Sequence, residues 1–370
     1  MIFMFNSKFN KKTLGIIGCW PPPYGGIGVH LQGLVAYLEN EGVDFILYNT
    51  ASTSQKLPNV VSVSRHRIFW YLWFCFFHRH KIVHLLAVNW FVRIMFGIIS
   101  LLKPGKYILS IHNESISRLL RSGWLRGRLT RWLLRRMDIV IACNSDIEQE
   151  CVLDVGLSPE KVYMIPGFIP VSRKNRSEIP GYVQSFVKAH KPLLCAVGWI
   201  GRTSNGKDLY GIDMLIELVS MLKRDYPEIG LILSINNGQE EKNQETIKTY
   251  RRQGGNNMLL ITEDLEDIIP LLQYSDLFLR PTNSDGDAVS IREALWIGVP
   301  VVASDATPRP EPCVLFRSRD MQDFEKKVRY SLSSLSELKT RVKNYDMPDN
   351  AKKILDIYRQ LQKGLNDEIK

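Results

Sequence analysis

Acidic residues are scarce in the first part of this 370-residue chain, and none occurs in residues 45–113. Residues 1–140 contain 18 Lys and Arg against 5 Asp and Glu, whereas the net charge of the whole chain is +10. Such a basic segment is typical of proteins that meet nucleic acid or an anionic membrane. Because it also holds six of the eight tryptophans and no nucleic-acid recognition motif, we expect a membrane surface and no nucleic acid as partner.

Cysteines are few and long apolar runs are missing. The six cysteines are scattered, without a Cys-x-x-Cys pair or a histidine at metal-ligand spacing, so neither a zinc site nor a disulfide framework is expected. The longest uninterrupted apolar run, residues 68–77, falls well short of the ~20 residues that cross a bilayer. The first residues show no signal peptide, and we therefore expect a cytoplasmic protein without a membrane span.

Strand-like apolar runs alternate with helix-like periodic segments, which predicts an α/β fold with parallel sheets. The predicted strands cover residues 14–18, 45–48, 82–86, 107–111, 139–142, 162–165, 193–197, 230–234, 258–261, 277–279 and 299–303. A polar stretch broken by Pro and Gly, residues 170–181, separates two series of strands and is typical of a linker. We therefore expect two domains, residues 1–172 and 173–346.

Residues 280–305 are the most informative part of the second domain. A predicted strand, a glycine-containing loop, a short helix and a second strand follow one another there. The loop leads directly into the helix, so unpaired backbone amides near Ala288 and Val289 can face a phosphate. Asp285 and Glu293 flank this anion site, and carboxylates accept hydrogen bonds from sugar and ribose hydroxyls. The pattern favours a nucleotide-sugar site; the alternative is an ordinary strand–helix–strand unit with solvated acids.

This segment resembles a motif of the family 4 retaining glycosyltransferases, which have the GT-B fold. The family carries Glu-Gly-Phe-Gly-Leu, three further residues, Glu-Ala and a Gly-x-Pro-Val-Val-Ala strand. The chain has Asp285-Gly-Asp-Ala-Val, then Glu293-Ala, then Gly298-Val-Pro-Val-Val-Ala. The resemblance implies two Rossmann-like domains that face each other across a cleft. It also implies that the C-terminal helix, residues 347–370, crosses back to the first domain.

The resemblance further implies roles for individual residues. Asp285 would contact the transferred sugar, the backbone near Gly286, Ala288 and Val289 would hold the phosphates, and Glu293 would bind the ribose. The chain departs from the family at two of these positions, since Asp285 is one methylene shorter than the family Glu and Ala288 replaces a Gly. Both departures leave room for an altered donor pocket.

Two further loops match the family. Gly25, Gly26 and Gly28 follow the first strand and open the first helix, as in the Gly-Gly-x-Gly loop of the family, which lies in the cleft near the donor. A tight strand-to-helix turn by itself also uses glycine. Arg202 and Lys207 have the spacing of the family's Gly-Arg-x4-Lys motif and would neutralise the leaving diphosphate, unless they are solvated loop cations. Three residues then intervene before Gly211, so this loop is longer than usual.

His112 ends a predicted strand, at the edge where doubly wound sheets bind ligands. A histidine hydrogen-bonded within a loop would look the same in the sequence. Family 4 enzymes often place a histidine here near the donor sugar, so the resemblance implies a catalytic position for His112. His30, at the start of the first helix, is expected to be structural.

Residues 118–136 combine seven arginines with leucines and two tryptophans, which suits a helix in the headgroup layer of an anionic membrane. The alternative is a core helix whose arginines form a solvated face. The candidate membrane-binding residues are Arg118, Arg121, Trp124, Arg128, Arg131, Trp132 and Arg135.

Together these features predict a retaining glycosyltransferase that moves a sugar from a nucleotide diphosphate sugar to a lipid-linked glycan acceptor. It would act in surface polysaccharide assembly, such as lipopolysaccharide or capsule, as a peripheral protein on the inner face of the cell membrane. The family implies that neither a metal nor another cofactor takes part. A non-catalytic GT-B-fold subunit that binds membrane and a partner is the alternative, since the donor motif departs from the family pattern.

Overall fold

The computed structural model describes residues 13–21, 25–51, 58–63, 67–86, 89–112, 116–170, 179–255, 257–263, 265 and 267–367. The chain divides into two compact units: Met1–Val171 together with Asp349–Lys370, and Ser172–Pro348. Most of the predicted linker, residues 171–178, lies outside the described residues.

A seven-stranded parallel sheet forms the centre of the first unit, in the order β3-β2-β1-β4-β5-β6-β7. Its strands are β1 (Leu14–Gly18), β2 (Phe45–Asn49), β3 (Val60–Ser62), β4 (Ile82–Leu86), β5 (Lys106–Ile111), β6 (Ile139–Ala142) and β7 (Val162–Met164). The central strands are apolar and buried along their length because helices cover both faces of the sheet. The order reverses between β1 and β4, and ligands bind at such a switch point in doubly wound sheets.

The helices of this unit carry the connections between the strands. They are α1 (Gly26–Asn40), α2 (Arg67–Phe77), α3 (Trp90–Leu102), α4 (Ile116–Arg121), α5 (Trp124–Arg136) and α6 (Ser145–Gln149), with short helical turns at Glu150–Asp154 and Pro159–Lys161. The sequence predicts one basic helix over residues 118–136, but the structure has two. Gly123 separates α4 from α5, because it adopts a φ of +144° that no helix contains.

The second unit is built on a six-stranded parallel sheet in the order β12-β11-β8-β13-β14-β15, and a two-stranded hairpin, β9-β10, stands beside it. The strands are β8 (Leu193–Gly198), β9 (Thr203–Ser204), β10 (Lys207–Asp208), β11 (Gly230–Ile235), β12 (Leu259–Glu263), β13 (Leu277–Arg280), β14 (Val301–Ser304) and β15 (Val314–Phe316). The helices are α7 (Gly181–Ala189), α8 (Ile212–Leu222), α9 (Gln244–Gly254), α10 (Ile269–Leu272), α11 (Val289–Trp296), α12 (Met321–Ser333) and α13 (Leu335–Lys343), with a short turn at Glu241–Asn243.

The strand order of this sheet reverses between β8 and β13, which pair in parallel. The loops that leave these two strands therefore meet at one point of the sheet's carboxyl edge. They are the loop with Arg202 and Lys207 and the loop with Asp285, so the topology brings the two predicted halves of the donor site together within one unit.

The last helix, α14 (Asn350–Asp367), packs on the first unit. Its apolar face buries Ile354, Leu355 and Tyr358. The Tyr358 hydroxyl lies 2.6 Å from Nδ1 of His84 on β4, and the Asn350 side chain donates to the Phe168 carbonyl at 2.8 Å. These two buried polar contacts fix the register of the helix.

Candidate active site

The loop after β13 ends at a helix whose first amides lack a side-chain cap. Ala288 is the N-cap residue of α11 in an extended conformation, without a side-chain hydrogen bond and without an acidic residue in the first turn. An uncapped helix start of this kind accepts an anion, because its amides point outward and the helix dipole is positive there. The site predicted around Ala288 and Val289 thus has the backbone geometry that a phosphate needs.

Asp285 lies in this loop within a network of two arginines. Its Oδ2 accepts from Arg280 Nε at 3.1 Å, from Arg309 Nη1 at 3.2 Å and from the Thr282 hydroxyl at 3.3 Å. Its Oδ1 accepts from the Gly286 amide at 3.2 Å. Burial raises the pKa of Asp285, but the positive charges of Arg280 and Arg309 outweigh it and hold this pKa below its usual value. Asp285 is therefore ionised at neutral pH.

Arg309 is anchored by the Asp285 loop and by the end of β14. Besides Asp285, it donates from Nε to the Ser304 carbonyl at 3.1 Å and from Nη2 to the Thr282 hydroxyl at 2.9 Å, and its side chain is only 1% exposed. Arg280 stacks on the ring of Tyr210, with Cζ 5.0 Å from the ring centre. Neither arginine was a sequence-predicted site residue.

A second ion pair stands at the start of α11. Arg292 Nε lies 2.7 and 2.8 Å from the two carboxylate oxygens of Asp287, so both oxygens share one donor. This pair fixes the end of the loop against the helix. Glu293, the predicted ribose ligand, is the next residue and is buried.

The loop after β8 contains the hairpin β9-β10, and the last two of the three extra residues follow it. Its turn, Asn205-Gly206, has φ values of +51° and +73°, as in a type I′ turn. Lys207 pairs with Ser204, and the Leu209 amide donates to the Arg202 carbonyl at 2.8 Å, which extends the ladder. Alternation along the two strands therefore places Arg202 and Lys207 on the same face, and both side chains are exposed.

Asn283 holds this hairpin to the Asp285 loop. Its side chain donates to the carbonyls of Asp208 at 3.1 Å and Ser204 at 3.3 Å, and its amide donates to the Leu209 carbonyl at 3.0 Å. The backbones touch again at Gly211, where a φ of +67° and a Cβ only 2.3 Å from the Pro281 carbonyl oxygen exclude any other residue. The two loops thus form one structure.

Asn237 anchors the start of the hairpin loop. Its Oδ1 accepts from the Ile200 amide at 2.9 Å and its Nδ2 donates to the Ile200 carbonyl at 3.0 Å. Asn237 follows β11, is buried, and imitates a strand partner for the segment before Arg202. Sequence reasoning missed it, although a polar residue directly after a buried strand is a usable signal.

In the first unit, the glycine loop starts α1. Gly25 is the N-cap residue, with no side-chain cap, and a Cβ placed on it would have open space around it. Its φ of −121° is allowed for any residue. The described part of the fold therefore imposes no glycine at position 25. Gly26 is exposed and Gly28 buried on the same helix turn.

His112 lies directly after β5, and its ring centre is 4.8 Å from that of His30. Burial lowers the pKa of His112 well below its usual value, and the neighbouring His30 and His84 lower it further. Its Nε2 is buried without a hydrogen-bond partner among the described residues. His112 is thus a neutral imidazole that can exchange a hydrogen bond but carries no charge.

His30 is held by the fold, as the sequence predicts. Its Nδ1 lies 2.7 Å from the Gly167 carbonyl, so Nδ1 carries the proton and donates. Burial lowers the pKa of His30 to about 4.

The candidate membrane residues divide into two groups. Arg118, Arg121, Trp124, Arg128 and Arg131 are exposed on α4 and on the outer face of α5. Trp124 is 74% exposed, and the neighbouring Leu125 is 60% exposed. Ser117, Arg118, Arg121 and Ser122 line a groove of about 460 Å³.

Trp132 and Arg135 form the other group. Trp132 is half-buried and packs against Gly97 of α3, and Arg135 donates from Nη2 to the Val155 carbonyl at 2.8 Å. Both residues are already engaged in packing the first unit. Within the described ranges, none of the helices has the length and apolarity to span a bilayer. The same ranges contain no group of three or more His, Cys, Asp and Glu residues that could hold a metal ion.

Comparison with known proteins supplies a family. The model of Glycosyltransferase Family 4 matches residues 24–173, and the model described as Glycosyl transferases group 1 matches residues 195–334. No curated protein sequence matches the chain significantly.

Solved structures share the fold at low sequence identity. Anabaena HepE in complex with UDP-glucose is 16% identical, with a TM-score of 0.69 over 96% of this chain and 99% of that chain. Sucrose-phosphate synthase from Thermosynechococcus elongatus is 15% identical, with a TM-score of 0.69 over 96% and 100%. WaaG, a glycosyltransferase involved in lipopolysaccharide biosynthesis, is 14% identical, with a TM-score of 0.67 over 93% and 99%.

The prediction of fold is confirmed: both units are Rossmann-like, and the matched structures are GT-B glycosyltransferases. Taken with the two family models, which between them match most of the chain, this makes the protein a glycosyltransferase of family 4.

Proposed function

We propose that the chain transfers a sugar, with retention of configuration, from a nucleotide diphosphate sugar to a lipid-linked glycan acceptor. The observation that carries the proposal is the junction of two loops at the switch point of the second sheet. There an uncapped helix start, two exposed cations on one hairpin face, the half-buried carboxylate of Asp285 and the buried carboxylate of Glu293 belong to one connected structure. A sugar nucleotide needs these three groups.

Each part of the donor has a partner in this arrangement. The backbone of Gly286, Ala288 and Val289 would hold the diphosphate, and Glu293 would accept from the ribose hydroxyls. Oδ1 of Asp285 receives one long hydrogen bond and retains a lone pair for a sugar hydroxyl. In the first unit, Gly25, Gly26 and Gly28 are proposed as donor-binding residues, and His112 as a catalytic residue, because the loops that carry them resemble those of the family. HepE, a structure of the same fold, was crystallised with UDP-glucose, which supports this class of donor.

The reaction would use the leaving phosphate as its own base. The anomeric carbon loses its bond to the diphosphate oxygen and gains one to the acceptor oxygen on the same face. The acceptor proton passes to the departing phosphate oxygen. Arg202 and Lys207 stabilise the negative charge that develops on this phosphate, and preorganised cations are effective there because they need no reorganisation. This scheme needs neither a general base nor a metal ion.

Titration calorimetry with UDP, GDP and CMP tests the donor site. We expect one nucleotide to bind saturably, and Glu293→Ala to weaken it about tenfold or more through the lost ribose hydrogen bonds. Glu217→Ala is the matched control, because Glu217 is exposed on α8, away from the loop. Unaltered binding by a folded Glu293→Ala variant would remove Glu293 from the site. No binding of any nucleotide, with lipid present, would favour the non-catalytic subunit.

The acceptor side of the proposal rests on α4 and α5. Exposed Trp124 and Leu125 beside Arg121, Arg128 and Arg131 suit the headgroup layer of an anionic membrane, on its cytoplasmic face. Each cation near such a surface contributes about 1 kcal/mol, so the three arginines contribute about 3 kcal/mol, or about 150-fold in binding.

Sedimentation with vesicles of anionic lipid tests this surface. Reversal of Arg121, Arg128 and Arg131 to Glu should abolish binding, whereas reversal of the exposed lysines 188, 223 and 326 of the second unit should not. Arg135 is left unchanged because it holds the Val155 carbonyl. An equal loss of vesicle binding in both triple variants would show that binding depends on net charge and not on the surface of α4 and α5.

A further inference from the structure

Arg280 and Arg309 share a single carboxylate oxygen in a largely buried part of the second unit. Arg280 Nη2 lies 3.0 Å and Arg309 Nη1 3.2 Å from Oδ2 of Asp285. One carboxylate neutralises one guanidinium group. The next pair along the loop is separate, since Arg292 Nε donates to both carboxylate oxygens of Asp287.

The two arginines are not equivalent. Arg309 donates from Nε, Nη1 and Nη2 to protein acceptors and is 1% exposed, so it is a structural partner of Asp285. Arg280 directs only Nε and Nη2 to Asp285, and its Nη1 donates to none of the residues that the structure describes. Its side chain is 9% exposed, so part of the guanidinium group can be reached from solvent.

The position of Arg280 is that of a phosphate ligand. It is the last residue of β13, which is paired with β8 at the switch point of the sheet. Its guanidinium stacks on Tyr210, which directly precedes Gly211 and α8. The stack fixes the plane of the guanidinium between the hairpin loop and the Asp285 loop. Both loops lie at the carboxyl edge of the second sheet.

We propose that Arg280 binds the diphosphate of the donor, and that Asp285 and Tyr210 are the residues that position it. The proposal rests on the proposed function, because the anion is the diphosphate of a sugar nucleotide. Besides any sugar contact, Asp285 then has the task of orienting Arg280. Because Arg309 neutralises the charge of Asp285, the positive charge of Arg280 remains available to the anion. Arg280 thus joins Arg202 and Lys207 as a third cation, and it is the one that the fold buries.

The test compares two variants that break the same ion pair from opposite sides. The base is the one identified by the titrations with UDP, GDP and CMP. Calorimetry then measures the binding of the nucleoside and of the nucleoside diphosphate that carry this base. Arg280→Gln should weaken the diphosphate about 10- to 100-fold, the loss of a charge-assisted hydrogen bond, and leave the nucleoside within about threefold. Asp285→Asn should keep or raise diphosphate affinity, because the amide oxygen of Asn still accepts from Arg280 while the negative charge beside the anion is removed.

A purely structural pair would give a different result: both variants would then weaken the diphosphate alike, and the proposal would be overturned. It would also be overturned if Arg280→Gln left the ratio of diphosphate to nucleoside affinity unchanged. Should Arg280→Gln fail to fold, Arg280→Lys is the second variant. It retains the positive charge and is expected to keep the preference for diphosphate over nucleoside. Loss of that preference in a folded Arg280→Lys variant would overturn the proposal. Absence of diphosphate binding in the wild-type chain would instead overturn the proposed function, and this inference with it.

Discussion

Mild acid should destabilise the first unit, because several of its histidines are buried in the neutral form. Burial lowers the pKa of His84 to about 3, and those of His30 and His78 to about 4. The unfolded chain has histidines with a pKa of about 6.5, so below that pH the unfolded state binds more protons than the folded state. Stability is therefore complete above pH 6.5 and is lost as the pH falls toward the folded values.

The size of the effect follows from these values. Between pH 7.5 and 5.5 each such histidine removes about 1.3 kcal/mol of unfolding free energy, so the three together remove about 4 kcal/mol. The pKa of His112 is shifted in the same direction and adds to the loss. A loss of this size is a large part of the unfolding free energy of about 5–15 kcal/mol that is typical of folded proteins.

Urea unfolding followed by tryptophan fluorescence is the assay, since six of the eight tryptophans lie in residues 1–140. The matched variant is His78→Phe: neither ring nitrogen of His78 has a hydrogen-bond partner in the part of the chain that the structure describes, and the ring stacks on Phe74 with centres 4.5 Å apart. It should remove about 1.3 kcal/mol of the pH dependence, or about a quarter of it when His112 is included. A change below about 1 kcal/mol between pH 7.5 and 5.5 in the wild-type chain would refute the reasoning.

Two further predictions concern the donor loops. Gly211→Ala should destabilise the second unit by about 2 kcal/mol or more, since it adds a clash with the Pro281 carbonyl to the strain of a positive φ. Gly206→Ala, with similar φ and open space around its Cβ, is the control and should cost about 1 kcal/mol in thermal unfolding. Asn237→Asp should cost about 1–3 kcal/mol in urea unfolding, because a carboxylate oxygen would then face the Ile200 carbonyl. A neutral Asn237→Asp variant would show that the Ile200 segment is held by other contacts.

Much of the fold could be predicted because parallel strands buried on both faces are continuous apolar runs. The predicted bounds of β1, β4 and β6 agree with the structure at both ends. The short edge strands β3 and β15 were missed, because three residues give no periodicity to recognise. The hairpin β9-β10 is polar and has two-residue strands, so only its Asn205-Gly206 turn carried a signal.

The candidate site could be predicted only where its residues follow one another in the chain. Asp285 and Glu293 lie eight positions apart on one loop and helix, and such spacing is visible in a sequence. Arg309 reaches Asp285 from beyond β14, at a separation of 24 residues, with no periodic relation to it. Arginines are usually exposed, so nothing in the sequence distinguishes Arg309 from its solvated neighbours.

The role of Asp285 illustrates why a motif residue alone does not define a site. The same carboxylate in a neutral setting would present its full charge to the donor sugar. Here Arg280 and Arg309 both donate to one of its oxygens, so its charge is largely neutralised and serves to orient the two guanidinium groups. An aspartate suits this task, because its short side chain keeps the carboxylate within the loop, where Thr282 and the Gly286 amide also reach it. The missing methylene relative to the family glutamate is therefore consistent with a carboxylate that organises cations, and the opposite responses expected of Arg280→Gln and Asp285→Asn test that reading directly.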